Sequence, residues 1–438
     1  MLHAENAGLK DETGVLTTIS MYSRLGNEAA LKFWQDCGYN TLELWEMTFT
    51  SARDRIGDLL KKYHDDIEQA RRLGFKVNVL TIGNTARLDG KTPQDPAKWC
   101  FSPKFEADRL SERLEDFRGL VRALKNADGF IVFAGDPGGD PSGRSSWQDF
   151  GDLVVEMHKV MNNECPGKEL FVNTWSISSW GKKWLSPHKV EFWEQERELQ
   201  DAFYENLPAG DISMELPIHC HYRNLARKLY LDAGKQPPDF PSAATVQGLR
   251  RKGVKHVRTW PYFLIDIVNA GERHQSFKTV QAEVRYIKQV IEKSVEIGAD
   301  GVVGNCADFA DITFDVGYSI LNEYAFARLA RSPDLPAEEV IREFSGLIVE
   351  HDSVPRFAEI LFFMENNSPW HRETPEQFKL PAIKTGIRNN NHALEELKKV
   401  RPLAKPRMRL PIATAGYLEM IRKDFERRED RIMRQETK

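Results

Sequence analysis

The chain has 438 residues, 41% of them hydrophobic and 29% charged, with 61 basic against 65 acidic side chains and a net charge of −4. That length allows one large domain and an accessory region, and the slightly acidic balance excludes a basic nucleic-acid-binding face. Five cysteines, Cys37, Cys100, Cys165, Cys220 and Cys306, stand singly, which argues against a disulfide framework or a structural zinc site.

Residues 1–12 are polar and no run has the length or apolarity of a signal peptide or a membrane span, so the expectation is a cytoplasmic protein without membrane contact. Residues 15–22 are β-branched and aromatic and read as a first strand. Asn27 caps a helix over 28–37, which Gly38 closes. A second strand over 41–45 ends at Glu46. A helix over 53–73, stopped by Gly74, leads to a third strand over 75–82, with Asn84 at its end. The long loop 85–103 holds Trp99 and Cys100 and has the length of a functional segment. A helix from Ser102 or Pro103 to Asn126 follows, with Leu110, Leu114, Phe117, Leu120, Val121 and Leu124 as its apolar positions.

The fourth strand, Gly129-Phe130-Ile131-Val132-Phe133-Ala134-Gly135, breaks into Asp136-Pro137-Gly138-Gly139-Asp140. An apolar strand that stops at an acid fixes the backbone behind a group facing solvent. Pro137, Gly138 and Gly139 put no bulky side chain between the acids, so a substrate can approach the backbone. The alternative is an acidic turn in which Asp136 merely caps the loop.

The alternation continues. Helix 150–161 precedes strand 169–175, which runs into Ser176–Trp180. Helix 190–206 precedes strand 212–216, which leads to Pro217-Ile218-His219-Cys220-His221-Tyr222. Helix 242–252 precedes strand 255–260, ending Arg258-Thr259-Trp260-Pro261-Tyr262. Helix 276–297 precedes strand 301–304, ending Asn305-Cys306-Ala307-Asp308. Eight strands alternating with helices predict an α/β chain with a (β/α)8 TIM barrel over residues 1–330. Gly38, Gly74, Gly253 and Gly298 punctuate the helix ends. An open doubly wound sheet would want a GxGxxG turn after the first strand, and none is there. Helices over 320–330, 336–350, 355–365, 392–400 and 414 to the end follow, with 368–384 reading as loop. Residues 331–438 are therefore expected to form a helical extension, packed on the barrel or building a homodimer. The charge-dense last helix reads as a solvated face.

Chemistry in such barrels sits at the C-terminal ends of the strands. Collecting those ends gives Tyr22, Arg24, Glu46, Asn84, Asp136, Asp140, Asn173, Trp175, Trp180, His219, His221, Tyr222, Arg258, Trp260, Tyr262, Asn305 and Asp308. Carboxylates, amides and aromatic rings together suit a sugar, which offers hydroxyls and an apolar ring face. Glycoside cleavage needs one carboxylic acid to protonate the leaving oxygen and a second carboxylate as nucleophile, base or orienting group. Asp136 is the expected general acid and Asp140 or Glu46 its partner, since neighbouring carboxylates raise one another's pKa. Glu43 reads as a buried, hydrogen-bonded acid. Arg24, Arg144 or Arg258 would suit a carboxylated sugar.

Two passages carry a resemblance. One is the fourth strand with its terminal acids. The other is Gly298-Ala299-Asp300-Gly301-Val302-Val303-Gly304-Asn305, followed by Leu321-Asn322-Glu323-Tyr324-Ala325-Phe326 and Ser332-Pro333-Asp334-Leu335-Pro336-Ala337-Glu338-Glu339-Val340. In these the chain resembles barrel glycoside hydrolases of the β-N-acetylhexosaminidase and α-glucuronidase type. The resemblance implies a hydrolase cleaving a terminal sugar, amino or acidic, without a cofactor. It departs in one respect: three residues separate the two acids, where those enzymes have them adjacent.

A second reading rests on His219-Cys220-His221. Alternate strand residues share a face, so two imidazoles can meet one metal, with Glu46, Asp136 or Asp308 completing a site of the sugar isomerase and endonuclease type. Gly38 to Trp45 also resembles the early strand of those barrels. Pro217, however, is expected to break the strand just before, and too few strands supply ligands, so no metal is expected. A third reading is a non-catalytic carbohydrate-binding barrel.

Overall fold

The computed structural model describes residues 16–23, 27–46, 48, 51–85, 100–135, 138–140, 143–180, 189–207, 211–218, 229–236, 238–261, 280–305, 319–366 and 380–436. Eight parallel strands close into a barrel in chain order. They are β1 (Thr18–Ser23), β2 (Thr41–Trp45), β3 (Lys76–Ile82), β4 (Gly129–Phe133), β5 (Glu169–Asn173), β6 (Ile212–Ile218), β7 (Val257–Pro261) and β8 (Gly301–Asn305). The last pairs back onto the first, with Thr18 opposite Gly301 and Tyr22 opposite Asn305. The barrel helices are α1 (Glu28–Cys37), α2 (Ile56–Arg72), α3 (Ala107–Ala123), α4 (Trp147–Glu164), α5 (Val190–Glu205), α6 (Ala243–Arg251), α7 (Val284–Glu296) and α8 (Ile320–Arg331). This is the (β/α)8 architecture the strand–helix alternation predicts.

Local chemistry explains the element ends. Asn27 caps α1 by accepting from the N–H groups of Ala29 and Ala30 at 3.0 and 3.2 Å. Gly38, Gly74, Gly253 and Gly298 close their helices at φ of 91°, 89°, 87° and 77°, a left-handed conformation that a Cβ disfavours.

Strand parity sorts side chains between the interior and the helices. Phe130 of β4 faces α3, where it meets Phe117 edge-on at 6.1 Å. Phe133, three residues on, points into the barrel and meets Trp260 of β7 at 5.5 Å. Thr259 bonds Ser294 of α7 at 2.7 Å, which leaves Arg258 and Trp260 on the inner face.

Two expectations are corrected. Pro217 does not break β6, which continues to Ile218 with Pro217 opposite Trp260. Pairing with β5 ends at Glu215, so no neighbour on that side waits for the N–H that proline lacks. Residues 380–384, expected as loop, open a helix instead, with Pro381 in its first turn, where a missing N–H breaks no helical bond.

Beyond α8 come α9 (Ala337–Ile348), α10 (Val354–Asn366), α11 (Leu380–Leu397) and α12 (Thr414–Glu436). Helix α9 packs on α7 and α8, and Tyr417, Ile421 and Phe425 of α12 belong to the same buried cluster as the barrel strands. Arg409 ties the segment before α12 to Asp36 of α1 at 2.7 Å. Among the described residues no helix is long and apolar enough to cross a membrane.

Candidate active site

The turn after β4 is tightly framed on both sides of Asp136, although Asp136 and Pro137 themselves lie outside the described residues. Upstream, Ala134 donates its N–H to the Asn173 carbonyl at 2.9 Å, and its own carbonyl accepts from the Trp180 indole at 2.7 Å. Downstream, Asn84 grips Gly139: Nδ2 donates to the Gly139 carbonyl at 2.6 Å and to that of Phe101 at 2.8 Å, while Oδ1 accepts from the Gly139 N–H at 3.0 Å. Asp140, 4% exposed, accepts from the Ser145 N–H at 2.9 Å and donates its own N–H to the Ser179 carbonyl.

The glycines of this turn answer to packing. A Cβ on Gly135 would lie 2.5 Å from Ser176 Cβ, one on Gly138 would lie 2.4 Å from the Ala134 carbonyl, and one on Gly139 would lie 2.0 Å from Ser179 Oγ. The β4 turn is thus pressed against the segment after β5. Ser176 there adopts φ 58°, the one left-handed non-glycine among the described residues. Glu196 of α5 holds that segment, accepting from the N–H groups of Ile177 and Ser178 at 3.2 and 2.9 Å. Burial pushes the Glu196 carboxyl up to about 7, against the pull of those hydrogen bonds.

Below the mouth the interior is polar. Glu43 of β2 and Glu215 of β6 are both fully buried. Arg258 Nη1 lies 3.7 Å from Glu43 Oε1 and 3.9 Å from Glu215 Oε1, with the guanidinium 3.8 Å over the Phe171 ring. Ser20 donates to Glu43 at 2.9 Å, and Asn173 Nδ2 donates to Glu215 Oε2 at 3.2 Å. Asn173 Oδ1 in turn accepts from the Trp175 N–H at 2.9 Å. Burial first, then the Glu215 carboxylate, hold the Glu43 carboxyl well above the ordinary range; burial also raises Glu215, while Arg258 opposes. The Trp175 and Trp260 rings meet at 5.5 Å. Trp260 is 2% exposed and backs Trp175, which is half-buried.

The remaining candidates divide. Asn84 and Asn173 are engaged in the bonds above. Glu46 points away from the interior, into the seam between β2, β3 and α3. One of its oxygens accepts from Thr81 and the other from the Thr48 N–H and hydroxyl. Arg113 of α3 binds the same Thr81 hydroxyl at 2.7 Å. The two described arginines offered for a carboxylated sugar already face acids, Arg258 as above and Arg144 with Glu106 at 3.4 Å. Tyr22 and Asn305 are placed in strand register only. Arg24, His219, His221, Tyr222, Tyr262 and Asp308 lie outside the described residues. Among the described residues no group of three His, Cys, Asp or Glu is arranged to hold a metal.

Glu215 does not stand out in the sequence. The signal available was parity: Ser213, Glu215 and Pro217 alternate on β6 as Thr41, Glu43 and Trp45 do on β2, which puts both acids on one face.

No family model matches the chain, and no curated protein matches it by sequence. Solved structures share its fold. A GH138 enzyme targeting pectin rhamnogalacturonan II superposes with TM-score 0.54 at 10% identity, over 95% of this chain and 57% of that one. The chain therefore spans little more than half that enzyme's length. A GH5_18 protein from Streptomyces cattleya, in complex with GlcNAc, gives 0.45 at 14% identity over 74% and 82% of the two chains. A sugar phosphate isomerase/epimerase from Parabacteroides distasonis gives 0.38 at 12% identity over 76% and 99%. The likeness is one of fold. Fold and site together define a (β/α)8 barrel whose mouth carries a clamped acidic turn beside tryptophans, above a buried carboxylate pair.

Proposed function

We propose that the protein is a glycoside hydrolase that cleaves a terminal sugar, amino or acidic, from an oligosaccharide or glycoconjugate by carboxylate acid/base catalysis. One observation carries the reading. Phe133, the last residue of β4, touches Trp260, which touches Trp175, each at 5.5 Å, so the aromatic surface begins where the chain turns toward Asp136. A sugar lying on Trp175 has its ring face against an aromatic plane and its polar edge toward that turn. Asp136 is the general acid. Asp140, four residues on and held by the Ser145 N–H, is its partner, and a turn this constrained favours a fixed orientation for both. The GH138 enzyme that shares this fold is consistent with the reading. The rival isomerase chemistry is left to experiment.

The test is a panel of aryl glycosides, uronides and N-acetylhexosaminides included. Wild type should turn over at least one member, and Asp136→Asn should lower kcat at least about a thousandfold with an unchanged circular dichroism spectrum. Turnover surviving in Asp136→Asn, or activity abolished by chelation, would overturn the assignment.

A further inference from the structure

We propose that Glu43 and Glu215 share a single proton inside the barrel and, with Arg258, form a neutral unit that holds Trp175 in place through Asn173. The charge count supports it: among the described residues two carboxyl groups and one guanidinium are buried together, and full ionisation of these would leave a net negative charge in the barrel interior. The hydrogen bonds say where the proton lies. Glu215 Oε2 accepts from Asn173 and Glu43 Oε1 accepts from Ser20. The two remaining oxygens, Glu43 Oε2 and Glu215 Oε1, find no donor among the described residues, and both carboxyl groups converge on one nitrogen, Arg258 Nη1, at 3.7 and 3.9 Å. Two carboxylates drawn to one guanidinium nitrogen would repel each other, and one shared proton removes that repulsion.

Among the described residues the surroundings supply no other compensating charge. Ser20 of β1, Asn173 and Phe171 of β5 and Arg258 of β7 face the pair. Asn78 of β3 is in register with Glu43, and its Nδ2 likewise finds no partner among the described residues. Gly129 of β4 and Gly301 of β8 add no side chain. Glu169 of β5, bound to His256 at 2.5 Å, is a further acid that raises Glu215. The chain from Glu215 through Asn173 to the Trp175 N–H makes the unit a positioning device beneath the aromatic surface. It also keeps the Arg258 charge cancelled, so that this guanidinium is not the clamp for an anionic sugar.

Two readouts test the shared proton without any substrate. Only the consequence for sugar binding rests on the glycosidase reading, so the two can fail separately. Proton release on unfolding at pH 7, from calorimetry in buffers of different ionisation enthalpy, should be one proton larger in wild type than in Glu43→Gln. Glu215→Gln should lose the same proton, because Glu43 then ionises beside Arg258, and the double variant should lose no more. Infrared difference spectra should show one protonated carboxyl band in wild type that is absent from both single variants. No difference in proton release would mean two carboxylates. A band persisting in each single variant would mean two protons. Either result overturns the proposal, and the infrared measurement on folded single variants decides even where the double variant does not fold.

Discussion

The two ends of the barrel are built differently from similar residues. At the N-terminal end, Asn40, Asp128 and Asp300 each stand just before an even-numbered strand and accept the N–H of a residue in the preceding strand. The partners are Ile19 at 3.1 Å, Val77 at 2.9 Å and Val257 at 2.8 Å. The same three residues donate their own N–H to the carbonyls of those partners. The two acids among them also meet surface arginines, Asp128 with Arg71 and Asp300 with Arg250. This is a repeated stitch, partly exposed and chemically complete. At the C-terminal end the acids are buried and the glycines admit no side chain, and below it Glu43 Oε2 and Glu215 Oε1 find no hydrogen-bond donor among the described residues. One end closes the barrel, whereas the other keeps polar groups fixed against their own electrostatic preference, which is where chemistry is expected.

Gly139→Ala is the hardest test of that contrast. The new Cβ would meet Ser179 at a backbone φ of 86°, combining overlap with a conformation alanine resists, at about 3 kcal/mol or more. Urea unfolding should show the loss, and catalysis should fall with it, because the turn carrying Asp136 must shift. Gly253→Ala, where the Cβ would meet nothing within 4 Å, should lose only the αL cost, about 1 kcal/mol. Equal losses at the two glycines would mean the mouth is no more tightly framed than a helix end.

Glu196 tests the mouth by pH. Its carboxyl is raised from 4.5 to about 7 by burial, so the native state binds its proton more tightly than the unfolded chain does. Its contribution is fully present below pH 4.5 and is lost as pH rises through 7, on the order of 3 kcal/mol in all. Glu365, also raised to about 7 by burial, slopes the same way. Glu196→Gln should therefore flatten part of the decline in stability between pH 4.5 and 7, leaving the parts due to Glu365 and to the Glu43–Glu215 pair. A variant with the wild-type slope would show that Glu196 is ionised as readily in the fold as outside it.

Asn84 comes next in size. Alanine there removes three hydrogen bonds and strands the Gly139 N–H in a buried turn, about 2 kcal/mol. The expected mark is a lower urea midpoint at an unchanged slope, with lower activity. An asparagine that bound only substrate would leave stability untouched.

These residues also show how far the sequence could be read. The strand order was legible because eight apolar runs alternate with amphipathic helices, and the four helix-closing glycines stand where a left-handed residue is required. The direction of a polar side chain at a strand end was not. Asn84 and Glu46 occupy the positions from which substrate contacts arise, yet one bonds the neighbouring turn and the other a helix seam. Which way they face depends on partners fifty-five and thirty-five residues away, Gly139 and Thr81. Glu215 was hidden for the converse reason. It sits mid-strand in an apolar run, and only the closure of β6 onto β7 brings Arg258 beside it.

The smallest effect belongs to the N-terminal end, and it decides whether that end is as replaceable as its chemistry suggests. In Asp300→Asn the side-chain oxygen still accepts the Val257 N–H, and only the ion pair with Arg250 is lost. Both partners are substantially solvent-exposed, 26% for Asp300 and 48% for Arg250, so screening limits the loss to under about 1 kcal/mol. Asp300→Ala also removes the acceptor, but water reaches this rim and can replace part of the bond, so about 1–2 kcal/mol should go. Activity per folded molecule should be unchanged in both. Were Asp300→Asn to cost as much as Gly139→Ala, or to alter turnover, the two ends of the barrel would not be separable in the way their hydrogen bonds indicate.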